Sequence, residues 1–379
     1  MKFPGLLFFL FTLCQIGFSQ DSIPGSDTSN LVLIFAGDIM GHDKQIEGAY
    51  DSTTASYDYE PTFRYISDYI SHADIAVGNL EVTLAGPPYK GYPRFSSPDA
   101  LATQAKEAGF DILANANNHA LDRGIQGFNR TLDVLDSLPI LRAGTYRDTT
   151  EMDKYHPLIV ETNNIQIAIL NYTYGTNGLK IEEPYIVNRI DTNRIRLDLA
   201  KAAIASSDYT IVFIHWGKEY EREENTDQIE LAKYILNNGA DAIIGSHPHV
   251  VQPVRFLQLP GDTTNNYPVV YSLGNFVSNQ RAQYKDGGII AELHLSKHDG
   301  QTFLDSLFYL PYWVWREDHD KMISTFYVLP VALYESNPAS FILAPSDVYK
   351  LKRFAADTRK HLSEAKESGF YNKKKGLEK

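Results

Sequence analysis

The sequence predicts an α/β fold. Short apolar runs recur from residue 31 onward, at 31–36, 75–77, 112–114, 165–170, 209–214, 242–244 and 269–273. Most are rich in Val and Ile and nearly uninterrupted, as strands buried on both faces are. Stretches with helical patterning lie between them, which gives a β-α-β-α order. With 379 residues, 43% hydrophobic and 22% charged, the chain is long enough for one large core and an appendage.

In chain order, residues 1–20 read as a secretory signal. Lys2 supplies the positive end, residues 5–14 are apolar, and Gly17-Phe18-Ser19-Gln20 offers small residues for cleavage. The apolar run is too short for a comfortable membrane span. Leu13 precedes Cys14, where bacterial lipidation needs a small residue, so the expectation is export to the periplasm or beyond without a lipid anchor. Residues 21–30 are small and polar and read as a linker. Helices are expected near 61–72, 97–109, 126–138, 191–206 and 226–238. Ser97 is the expected cap of the second, with Pro98 and Asp99 in its first turn and Gly109 at its end. Thr226 is the expected cap of the last.

The α/β domain is therefore expected over 31–295 and a different segment over 296–379. Residues 302–335 are rich in Phe, Tyr and Trp and read as strands or an aromatic extension. Residues 346–368 read as an amphipathic helix capped by Ser346, with Leu351, Phe354, Leu362 and Ala365 as its buried stripe. Lys373, Lys374 and Lys375 read as a solvated tail.

Composition limits the chemistry. The formal net charge is −12, which argues against a general nucleic-acid binder. A small anionic substrate is still compatible, because a bound cation can supply local positive charge. Cys14 is the only cysteine and lies in the leader. Disulfides and thiolate ligands are thereby excluded from the exported chain, so a metal must use imidazole, carboxylate or amide oxygen.

The residues at the end of each apolar run point to such a site. The first run leads into Gly37-Asp38 and the second into Gly78-Asn79-Leu80-Glu81. The third leads into Asn115-Ala116-Asn117-Asn118-His119. Later runs lead into His215-Trp216-Gly217, Gly245-Ser246-His247-Pro248-His249 and Gly274-Asn275-Phe276. In a parallel sheet these ends share one edge and converge. Mixed imidazole and carboxylate suits Zn, Mn or Fe. Singly, each has a plainer reading. Asp38 can cap a helix, Glu81 can be a surface residue, Asn117-Asn118-His119 can be a turn and His215 a satisfied core histidine. His247-Pro248-His249 is the strongest alone, and six such strand ends together are poorly explained by packing. His42 and Asp43, just past the first end, are candidates to join the site.

These blocks resemble the CapA/PgsA group of poly-γ-glutamate capsule synthesis proteins, of the calcineurin-like metallophosphoesterase fold. The resemblance covers about 31–280. It rests on Gly37-Asp38-Ile39-Met40, Gly78-Asn79-Leu80-Glu81, 115–122 (NANNHALD), His215-Trp216-Gly217, 245–253 (GSHPHVVQP) and 272–276 (SLGNF). It implies a four-layer α/β/β/α sandwich of two mixed sheets flanked by helices. By the same resemblance, Asp38 and His249 would hold one divalent ion, and Asn118, His215 and His247 a second. Glu81 would bridge and His119 would be the general acid. At or just past these strand ends, His42, Asn79 and Asn275 are candidate substrate contacts. Two such ions could bind both phosphoryl oxygens and activate water. The chain departs from the phosphoesterase pattern at Met40, where His is usual, at Glu81, where Asp is usual, and at Ala120, where an acid is usual. The function this implies is an exported capsule factor with a metal-dependent hydrolase site. Its partners would be an anionic polymer or phosphoester and a membrane capsule-synthesis complex. A periplasmic phosphoesterase without a capsule role and a non-catalytic polymer-binding component are the competing readings.

Overall fold

The computed structural model describes residues 28–319 and 323–371. The expected leader, most of the linker and the lysine tail lie outside them. Two mixed β-sheets pack face to face. In the first, strands Ser29–Ile39, Ile75–Leu80, Ile112–Ala114 and Leu141–Ala143 run parallel to their neighbours. Gly287–His298, Gln301–Asp318 and Ser324–Pro330 extend that sheet antiparallel from the first strand. In the second, Ile165–Thr173, Tyr209–His215, Ala242–Ser246 and Asp262–Val270 are parallel. Leu158–Thr162 and Val254–Leu259 close its edges antiparallel.

The period-two geometry of a strand explains why the runs are apolar throughout. Leu33 and Phe35 face inward and meet Ile167, Phe213 and Ile244 of the second sheet. Ile34 and Ala36 face outward, into a core shared with Leu101 and Ala105 of helix Ala100–Glu107. On the far side, Val212 and Ile243 pack on Leu199 of helix Thr192–Ile204 and Ile235 of helix Thr226–Asn237. The layers are thus α/β/β/α.

Several boundaries differ from the sequence reading. The first strand opens at Ser29, inside the expected linker. The helix expected over 61–72 is two single turns, Glu60–Phe63 and Ser67–Ile70. Asn225, not Thr226, caps its helix, because Gln228 reaches back to complete a capping box. Ser97 lies outside its helix, which starts at Ala100 behind Asp99. The C-terminal helix is Pro345–His361, with Ala344 rather than Ser346 at the cap position, and residues 366–367 form a short strand. No break falls at 295: strand Gly287–His298 runs through it and pairs with Gln301–Asp318 along its length. The aromatic stretch is therefore the flank of the first sheet. Its Trp313 and Leu329 pack on Leu351 and Phe354 of the C-terminal helix, while Leu362 reaches the inter-sheet core.

Phe35 and Phe213 meet edge to face between the sheets, with ring centroids 5.6 Å apart. Phe213→Ala should cost about 3–5 kcal/mol of unfolding free energy in chemical denaturation, the usual range for emptying a buried aromatic site. A loss under about 1 kcal/mol, below that range, would show that the sheets do not depend on this contact.

Candidate metal centre

The parallel strands of both sheets end on one edge, and the register aligns their polar termini. Asp38 lies beside Asn79 and Asn275, and His215 beside Ser246. Gly37 lets the Asp38 strand press against the Gly274 carbonyl, a contact that a Cβ would block. Beyond the Ala242–Ser246 strand the chain turns sharply. His247 and His249 take φ of 98° and 58°, a region that side-chain-bearing residues rarely occupy. Both rings stay within 2–3% exposure. Such strain persists where the surroundings over-determine it, often at functional sites.

Glu81 stands at the centre. Its Oε1 is 3.6 Å from His215 Nε2, 3.8 Å from His249 Nε2 and 3.9 Å from His119 Nε2. These spacings are too long for hydrogen bonds. They lie within about 4.2 Å, twice a zinc–ligand bond, which one cation can bridge. Asp38 accepts from the Asn79 amide at 2.8 Å through Oδ1 and lies 3.0 Å from His249 Nδ1 through Oδ2. His215 Nδ1 is 3.0 Å from Ser246 Oγ, and its Nε2 is 2.9 Å from Asn118 Oδ1. Among the described residues, Asp38–Glu81–His215 and Glu81–His247–His249 each bring three donor atoms within 4.8 Å of one another. This grouping puts His215 with Asp38, whereas the resemblance puts His249 there; Glu81 is shared in both.

The residues present fit a divalent cation. Both Glu81 oxygens and His247 Nδ1 are buried with no hydrogen-bond partner. Buried polar atoms are ordinarily satisfied, and an unpartnered carboxylate is costly. Burial, and then the charge of Asp38, holds the Glu81 carboxyl well above the usual carboxylate range. Burial, followed by the neighbouring imidazoles, pushes His215 well below its usual range and His247 down to about 3. Both histidines therefore stay neutral at physiological pH, with a lone pair for a metal, whereas Glu81 must give up a proton to bind one.

The remaining expected residues fall around this core. His119 presents Nε2 toward Glu81 while its Nδ1 lies 2.7 Å from Asp122. Asp122, which the sequence reading does not single out, also accepts from the Phe95 amide. It supplies the carboxylate that Ala120 lacks. Asn79 is 1% exposed, and its amide donates to Asp38 and lies 3.3 Å from His215 Nδ1, so it orients both. Asn275 is fully buried and donates to the Lys285 carbonyl at 2.9 Å, with the His249 carbonyl 3.4 Å away. Its Oδ1, beside Asp38 in the register, is buried with no hydrogen-bond partner. His42 Nδ1 is within reach of Gln45 Oε1 and the Asn279 amide, and burial lowers its pKa to about 4. It belongs to neither donor group. Met40 is buried in the outer core.

Metal binding at pH 5 should release protons from Glu81. Calorimetric titration of Zn²⁺ in buffers of different protonation enthalpy should show fewer protons released by Glu81→Gln. Affinity should fall by about tenfold or more, as when a metal site loses a supporting group. Unchanged proton release and affinity would remove Glu81 from the centre.

The capsule biosynthesis protein CapA of Bacillus anthracis is 27% identical over 292 residues, 74% of this chain and 67% of that protein. The PGA biosynthesis protein CapA of Bacillus subtilis is 28% identical over 289 residues, 71% of this chain and 69% of that protein. Among solved structures, the Haemophilus influenzae NAD nucleotidase NadN superposes with a TM-score of 0.49 at 13% identity, over 74% of this chain and 56% of its own. The calcineurin-like phosphoesterase YfkN of Bacillus subtilis gives 0.45 at 15% identity, over 74% and 90%. Residues 32–280 match the model of the bacterial capsule synthesis proteins PGA_cap, and the chain belongs to that family.

Proposed function

We propose that this chain is an exported, metal-dependent hydrolase of capsule-polymer synthesis that cleaves a phosphoester. The observation that carries the reading is Glu81, buried and unpartnered, with three imidazole Nε2 atoms turned toward it. The capsule assignment is supported by the names of the two CapA relatives. Export is supported by the leader-like first twenty residues. No helix among the described residues is long and apolar enough to cross a membrane. A membrane-bound synthesis complex is the partner this reading expects.

A divalent ion, Mn, Zn or Fe, held by Asp38, Glu81, His215, His247 and His249 with Asn118, would supply Lewis-acid charge for the phosphoryl oxygens and acidify a water. The protein's own groups do the rest. As the imidazolium, His119 can donate its Nε2 proton to the departing oxygen and is left as the neutral Nδ1–H tautomer. Asp122 receives its Nδ1–H, which fixes both the ring orientation and the tautomer. The Asn117 side chain accepts from the His119 amide and donates to the Leu80 carbonyl, locking His119 to the Glu81 strand.

One observation favours a second reading. Met40 offers no imidazole where phosphoesterases carry one, so the Asp38 side of the centre is short of a ligand. A polymer-binding component that keeps one structural ion would tolerate that loss.

With Mn²⁺ added, the full chain should hydrolyse bis(p-nitrophenyl) phosphate. His119→Gln should lower kcat by about 10²–10⁴, the span of general acid catalysis, at unchanged metal content. Asp122→Asn should lower kcat less. Full activity in His119→Gln would exclude it as the acid. No ester turnover, with tight poly-γ-glutamate binding, would favour the second reading.

A further inference from the structure

The loop ahead of helix Thr226–Asn237 is clamped at three successive carbonyls. The buried Gln252 amide donates to Glu221 at 2.8 Å and to Glu223 at 3.0 Å. Between them, His361 Nε2, at the end of the C-terminal helix, donates to the Arg222 carbonyl at 2.9 Å. The backbone at Arg222 is therefore fixed, yet its charge is unanswered. Among the described residues the guanidinium has no hydrogen-bond or ion-pair partner, and its Nε is sealed from water in that state.

What holds the guanidinium is a ring. Its Cζ lies 4.0 Å from the centroid of Tyr284, on the loop ahead of strand Gly287–His298. The same loop returns the contact, with the Lys285 ammonium 3.1 Å from the Tyr220 centroid. Tyr284 and Tyr220 take φ of 73° and 70°, a region rare for aromatic residues and kept where the surroundings over-determine it. Stacking uses the face of a guanidinium and leaves its in-plane terminal N–H groups available to an oxyanion.

Arg222 lines a cavity of about 320 Å³ together with Arg255, Lys360 and His361. Arg255 is already paired, with Glu224 at 2.9 Å and Glu364 at 3.4 Å. Lys360 is exposed and, among the described residues, has no ion-pair partner. The two carboxylates on the cavity do not answer these cations. Asp357 accepts from Gln283 at 2.8 Å, and the Glu223 side chain is 72% exposed, with Oε1 3.9 Å from His361 Nδ1. A lysine in the last turn of a helix is expected from the helix dipole. A half-buried arginine with no acceptor is not, because buried donors are ordinarily satisfied.

We infer that Arg222 and Lys360 form an oxyanion-binding site, apart from the metal centre, that takes a phosphate or carboxylate group. It needs no metal and stands independently of the phosphoester reading. Tyr220, two residues from Arg222, has its ring 6.1 Å from that of His249, so the site flanks the centre.

The test soaks crystals of the full chain in a series of selenate concentrations and locates selenium by anomalous diffraction. A peak is expected in the cavity, within hydrogen-bond reach of Arg222 and Lys360. The concentration for half occupancy should rise about tenfold in Arg222→Gln and in Lys360→Gln, the scale of one lost charge-assisted hydrogen bond. Lys360 is exposed, so its variant keeps the fold. Inorganic phosphate or glutarate added to the soak should displace the selenate, and the one that does so at lower concentration identifies the group as phosphoryl or carboxylate. Displacement by neither, or half occupancy unchanged in both variants, would overturn the site. A selenium peak at Glu81 with none in the cavity would overturn it and leave the metal centre standing.

Discussion

A carboxylate sealed from water without a hydrogen-bond partner sets the terms for this protein. Glu81 is in that position, with Asp38 nearby as a second negative charge. Taking an ion out of water costs several kcal/mol unless something repays it. Protonation relieves part of this cost, and a cation between Glu81 and the neutral histidines relieves more. The low pKa values of His215 and His247 belong to the same balance, since charged imidazoles would compete with the metal for the space. These groups could hold a cation, and packing alone does not account for their placement.

The fold delivers these groups by strand geometry. Each parallel strand carries two apolar faces between layers and one polar terminus at a shared edge. The sheets are held together by inward-facing residues such as Phe35 and Phe213. The edge is brought close by glycine at Gly37 and by left-handed turns at His247 and His249. Around it, Asn79, Asn117, Ser246 and Asp122 spend their hydrogen bonds on orienting the donors rather than on solvent. Outer partners of this kind set ring orientation and ligand basicity.

Much of this is legible in the sequence, because strand ends leave a local trace: an apolar run, then glycine, then a polar residue. Asp38, Glu81, His247 and His249 carry it, while Asn118, His119 and His215 follow their apolar runs with no glycine between, and all converge. Asp122 leaves a weaker trace. The turn after His119 brings a residue three positions on back to the ring, so the expected acid at position 120 appears at 122. Asn79, Asn275 and His42 look like substrate contacts in the sequence because they are polar and near the ends. In the structure the Asn79 amide meets Asp38, the Asn275 amide meets backbone carbonyls and His42 lies against Gln45. Helix starts shift because neighbouring Asn225 and Thr226 can both cap, and only the reach of Gln228 decides between them. The boundary at 295 misleads because an aromatic-rich hairpin looks like a new segment in composition while hydrogen bonding into the old sheet.

The proposed chemistry requires a cation held at Glu81. That is settled most directly by anomalous diffraction from crystals grown with Mn²⁺. A strong Mn peak is expected within coordination distance of Glu81 Oε1, shared with at least two of His215, His247 and His249. Absence of any peak within coordination distance of Glu81, at a Mn²⁺ concentration that saturates ordinary carboxylate–histidine sites, would contradict it.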